Sequence, residues 1–139
     1  MTPTTRPDGG RRGLQIVLGT LAAIPFASGL AGMLIGPGAL PGNNTPLTAN
    51  VDSAYRYTHG LWFTAAPVLW AALPGIERQA NLLRVVGGAI FVGGLGRVAA
   101  WRSTGRPHPV LVGATALELV GVPALMAWQH RVATLAGTA

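Results

Sequence analysis

Four apolar runs dominate the chain, over residues 14–35, 53–73, 82–101 and 110–129. Each is about 20 residues long, the length at which an α-helix crosses roughly 30 Å of hydrocarbon. The connections "GPGALPGNNTPLTANVD", "PGIERQAN" and "RSTGRPHP" concentrate Pro, Gly, Asn and charge, as turns at a membrane surface do. Composition agrees, because 10% of the 139 residues are charged, whereas ordinary soluble domains carry about 25%. The pattern predicts an all-α fold, an integral membrane antiparallel four-helix bundle. Its membrane domain covers residues 14–131, between an arginine-containing cytoplasmic tail over residues 1–13 and a short disordered tail over residues 132–139. The last two connections are short, so the helices they join are expected to be antiparallel neighbours.

Arg11 and Arg12 before an apolar run also fit a cleaved signal peptide. The run is longer than a usual signal core and three more follow, which favours a span. All ten basic residues are arginine. Arg6, Arg11, Arg12, Arg78, Arg84 and Arg131 fall on one side, and Arg102 and Arg106 on the other. This bias predicts a multi-pass protein with both termini cytoplasmic. The arginines form no patch with interleaved aromatics, which argues against nucleic acid as a partner. With no cysteine there is no disulfide, thiolate ligand or cysteine nucleophile.

Small residues indicate how the spans touch. Ser28, Gly32 and Gly36 recur at every fourth position, and glycines crowd residues 87–96, a pattern that lets membrane helices approach closely. Pro25, Pro67 and Pro123 lie inside spans and are expected to kink them, with room for a cavity.

The polar residues then stand out. Counted from the outer ends of their spans, Arg56 and His59 lie about 5 and 9 Å deep, Arg97 about 6 Å and Glu118 about 12 Å. Asp52, Arg56, His59, Phe63 and Trp70 form one helical stripe, polar at its mouth and aromatic below. Gly93, Gly94, Arg97 and Trp101 share a face of the third span. A charge facing lipid costs about 2.5–3.5 kcal/mol, so these groups are expected to turn inward and pair, Arg97 with Glu118 and Arg56 with Asp52. Asp52 is also placed to cap its helix. No His and carboxylate spacing matches a metal site, and no cofactor motif is present.

"NVDS" with Arg56 after it, "GIERQ", "GGLGR", "GRPHP" and a glutamate in the fourth span together resemble a family of small bacterial four-helix membrane proteins known only as a domain of unknown function. The matching positions are Asn50, Asp52, Ser53, Arg56, Gly60, Arg97, Gly105, Pro107 and Glu118, spread over residues 14 to about 131. The resemblance implies the fold and the membrane and carries no established chemistry; the expected location is the bacterial inner (plasma) membrane.

Two functional readings follow from the residues. In one, a lipophilic small molecule enters a polar pocket of the outer leaflet. Asn50, Arg56, Arg97, Trp101 and Phe63 bind it, and Asp52, Glu118 and His59 act as acid or base in an isomerisation, cyclisation or hydrolysis. In the other, the chain is a non-catalytic membrane subunit or scaffold whose charges only fix helix packing. A homo-oligomer or a membrane partner is compatible with either.

Overall fold

A computed structural model describes residues 8–44 and 46–137, and within them only helices and turns occur. The helices are α1 (Asp8–Leu21), α2 (Ala23–Ile35), α3 (Ala49–Ala72), α4 (Ala80–Thr104), α5 (Pro109–Ala116) and α6 (Val122–Leu135). Short 3₁₀ turns follow α2 and α3, and a π-helical segment, Leu117–Gly121, joins α5 to α6.

The prolines account for the interruptions. Pro25 has no N–H to give the Leu21 carbonyl, and the regular pattern breaks at Ala22, between α1 and α2. Pro123 can neither donate to Leu119 nor tolerate its carbonyl at normal pitch. The preceding turn widens instead, and the Val122 N–H reaches back five residues to the Leu117 carbonyl. Pro67 was expected to act likewise, yet α3 runs through it without interruption.

Among the described residues three helical stretches are long and apolar enough to cross a membrane: Gly10–Ala39, Ala80–Thr104 and Pro109–Leu135. The sequence reading expects four. Helix α3 has the length, with 24 residues, but the polar side chains of its first half, Asn50 to His59, lower its apolarity below that of the other three. The outer boundaries also move. Helix α1 begins at Asp8, before the expected start at residue 14, and Arg11 in its first turns is tied to Glu77 and the Pro74 carbonyl. Helix α6 continues to Leu135 with Val132 and Ala133 buried, so residues 132–135 are helical and not part of a tail. Arg6 and residues 138–139 lie outside the described residues.

The chain divides into two compact units, Val17–Leu73 and Met1–Ile16 with Pro74–Ala139. In the first, α2 and α3 lie antiparallel: a Cβ on Gly29 would meet the Phe63 backbone at 2.6 Å, and one on Gly32 would strike the His59 ring. Rising positions on α2 thus face falling positions on α3. In the second unit, Gly87 of α4 faces Val122 and Met126, while Gly94 faces Glu118 and Leu119, again antiparallel. The start of α1 runs along α6, with Gly10 by Val132 and Gly13 by Trp128.

Contact through glycine and alanine leaves little room for large buried side chains. Leu14 and Ile76 are the largest that are fully enclosed among the described residues. Many large apolar groups face outward, Val85 at 72% and Val120 at 70% exposure among them. This reverses the soluble pattern, in which apolar groups fill the interior.

Candidate functional sites

The residues expected to share one site fall into both units, so the two sets are described separately. In Val17–Leu73 the centre is Arg56. Thr48 caps α3, its hydroxyl accepting the Val51 N–H at 3.4 Å. Asp52 therefore does not provide the cap. It stands in the first turn, where the helix N-terminus favours a carboxylate, and accepts the Arg56 Nε–H on both oxygens at 3.1 and 3.0 Å.

The rest of the Arg56 guanidinium turns to backbone. Nη1 donates to the Met33 and Leu34 carbonyls at 3.0 and 2.8 Å, and Nη2 donates to the Ile35 carbonyl at 3.2 Å. These are carbonyls at the C-terminus of α2, where a helix lacks its own donors and cation binding is favoured. Of five guanidinium N–H groups, Arg56 thus commits four. Gly36 makes the approach possible: its φ of +79° suits glycine, and a Cβ there would lie 2.6 Å from Asp52 Oδ1 and 2.7 Å from Arg56 Nη2.

Below Arg56 the stripe is filled by protein. The His59 Nδ1 lies 2.9 Å from the Tyr55 carbonyl. A carbonyl only accepts, so Nδ1 is the donor. The ring stacks on Tyr55 at 3.9 Å between centroids and rests on Gly32. Phe63 packs on Gly29 and against Phe26, at 5.1 Å between ring centroids, and Phe26 in turn meets Trp70 at 5.4 Å. Trp70 donates to the Gly19 carbonyl at 3.0 Å, and Trp62 to the Ser28 hydroxyl at the same distance. Asn50 is exposed six residues before Arg56 and makes no hydrogen bond to this set. A shallow cleft of about 300 Å³ opens nearby, lined mainly by Pro37, Leu40, Leu47, Val51 and Tyr55. Arg56, His59 and Phe63 do not line it.

In the other unit Arg97 of α4 meets Glu118 of the π segment. The Nε–H of Arg97 donates to both carboxylate oxygens, at 3.1 and 3.0 Å. Gly94 allows this approach, since a Cβ there would touch Glu118 Cβ at 3.0 Å. The Glu118 side chain is 11% exposed and that of Arg97 42%. Both terminal nitrogens of Arg97 lack an acceptor among the described residues. Trp101 stands one turn further along the same face of α4. Both expected ion pairs are therefore present, one in each unit.

Sequence reasoning missed three polar contacts. Gln129, buried to 4% exposure, donates to the Ile76 carbonyl at 3.0 Å and anchors the turn after α3. Arg11 donates to Glu77 at 2.9 Å. The Glu77 carboxyl is held below its ordinary pKa by a backbone N–H first; desolvation opposes this, and the Arg11 charge reinforces it. His108 caps α5 by accepting the Val110 N–H at 3.3 Å. A His-Pro start before an apolar run was the readable signal for the last of these.

No curated protein and no solved structure matches the chain. The profile of DUF4345, a domain of unknown function, covers residues 13–129, and the chain belongs to that family.

Proposed function

We propose that the chain is a four-span membrane protein, with both termini cytoplasmic, that serves as a scaffold or non-catalytic subunit whose ion pairs fasten helices together. One observation carries this reading: Arg56, the most conspicuous candidate ligand group, spends its guanidinium on Asp52 and on three carbonyls of α2. A guanidinium so engaged has almost no donor left for a ligand. The packing of His59, Phe63 and Trp70 on α2 supports the same use of the stripe. The outward apolar side chains and small-residue helix contacts support the bilayer, where the hydrophobic effect no longer drives helices together and close backbone approach does.

The lipophilic-ligand reading loses its floor in this unit, since aromatic and glycine contacts occupy the space beneath the polar mouth. A stability series tests the choice. Asp52→Asn and His59→Gln should lower thermal stability in detergent in step with any loss of cellular phenotype. Loss of the phenotype with stability intact would overturn the scaffold reading. Orientation has its own test: a cysteine at Asn44 or Thr104 should label with an impermeant thiol reagent in intact cells, and one at Gln79 should not. Labelling at position 79 alone would invert the topology.

A further inference from the structure

Arg97 is built differently from Arg56, and the difference points to a ligand. Only its Nε–H is bonded, and four N–H donors on Nη1 and Nη2 find no acceptor among the described residues. In hydrocarbon an unpaired donor costs several kcal/mol, so an acceptor has to come from outside the chain. Arg97 lies seven residues before the end of α4 at Thr104, about 10 Å along the helix. An arginine at that depth reaches toward the headgroups.

The surface of α4 that leads to Arg97 is apolar and exposed. Val85, Ala89 and Gly93 precede it at four-residue intervals, all exposed, so one apolar stripe leads along α4 to the guanidinium. A Cβ on Gly93 would meet nothing within 4 Å, whereas the adjacent Gly94 is closed by Glu118 and Leu119. One side of α4 thus packs on the π segment, and the next is an exposed apolar track ending at a cation. Two parallel Nη donors match two oxygens of one phosphodiester.

We propose that Arg97 and the track over Val85, Ala89 and Gly93 bind one membrane phospholipid, with its phosphodiester on the terminal nitrogens and an acyl chain along the stripe. Glu118 holds the guanidinium through Nε and leaves the fork turned outward. Arg97 is then a binding residue and Glu118 a positioning residue. The inference rests on the membrane placement proposed above.

The test uses the full chain reconstituted in vesicles of phosphatidylglycerol and phosphatidylcholine, washed with alkali and released into mild detergent for native mass spectrometry. The expected result is one retained phospholipid per chain. Arg97→Gln should lower that occupancy about tenfold, the effect of losing one charge-assisted contact. Gly93→Leu, which fills the track and keeps every charge, should lower it comparably, while Arg102→Gln should leave it unchanged. Should Arg97→Gln fail to fold, Gly93→Leu decides alone. Wild-type occupancy in the folded variants would overturn the proposal. So would displacement of the lipid by millimolar inorganic phosphate, which would assign the site to a free anion. Release of the wild-type chain by alkali would instead overturn the membrane placement itself.

Discussion

Arg56 and Arg97 each give an Nε–H to both oxygens of one carboxylate, at the same 3.1 and 3.0 Å. From there the two units part. In Val17–Leu73 the remaining guanidinium donors close the end of α2, so the ion pair also serves as a helix cap. In the other unit they meet no acceptor among the described residues. The lesson is that an ion pair alone does not reveal a charge's role. What decides is where the other donors go, and of these two arginines Arg56 gives them to backbone carbonyls.

The largest break in this comparison should come from Arg56→Leu. It strands Asp52 and three α2 carbonyls, each worth about 1–3 kcal/mol when left unpaired, so a total loss of about 3 kcal/mol or more is expected in denaturant titration of the reconstituted protein. Glu118→Gln should cost less, about 1.5–3 kcal/mol, the worth of hydrogen bonds to a charged group, because Arg97 is 42% exposed and keeps access to its surroundings. A Glu118→Gln loss exceeding that of Arg56→Leu would reverse the assignment of roles.

Glycine substitutions sharpen the contrast on a smaller scale. Gly32→Ala drives a methyl into the His59 ring and should destabilise by about 1–3 kcal/mol through overpacking. Gly93→Ala meets open space and should stabilise by up to about 1 kcal/mol through helix propensity. Equal effects at the two positions would mean that α2 and α3 are not in close contact.

The smallest effect belongs to Arg11 and Glu77. The folded pKa of Glu77 is lowered, so its stabilisation is present above the unfolded value and disappears as pH falls through the folded one. A half-buried pair at the surface of the protein, as this one is, contributes about 0.2–1 kcal/mol. The melting temperature of Glu77→Gln should therefore sit slightly below that of the native chain near neutral pH and converge with it in acid. A gap that widens on acidification would contradict this sign.

Much of this was readable in the residues. The four apolar runs mark the helices, and Asp52 with Arg56 at i and i+4 pair by geometry alone. Placement in the same outer half of their spans brought Arg97 and Glu118 together in prospect. The Arg56 cap was not readable, because its acceptors are main-chain carbonyls that any residue at 33–35 would supply. Gly32 and Gly36 signalled close contact on α2 and just past its end, but not with which helix. Pro123 announced a disturbance four residues upstream, but a proline alone does not say whether the helix kinks or its turn widens. The division into two units left no mark, since the break falls inside α1 and just after α3.

The most direct test is a pair of double replacements measured for unfolding free energy under one set of conditions. Removing both charges at Arg97 and Glu118 by leucine leaves no orphaned partner, and the protein should stay within about 1 kcal/mol of native, as replaced ion pairs commonly do. Removing both at Asp52 and Arg56 still uncovers the Met33, Leu34 and Ile35 carbonyls, so it should remain at least about 2 kcal/mol below native. Equal stability of the two double variants, or greater damage at Arg97 and Glu118, would contradict the claim that Arg56 fastens α2 to α3.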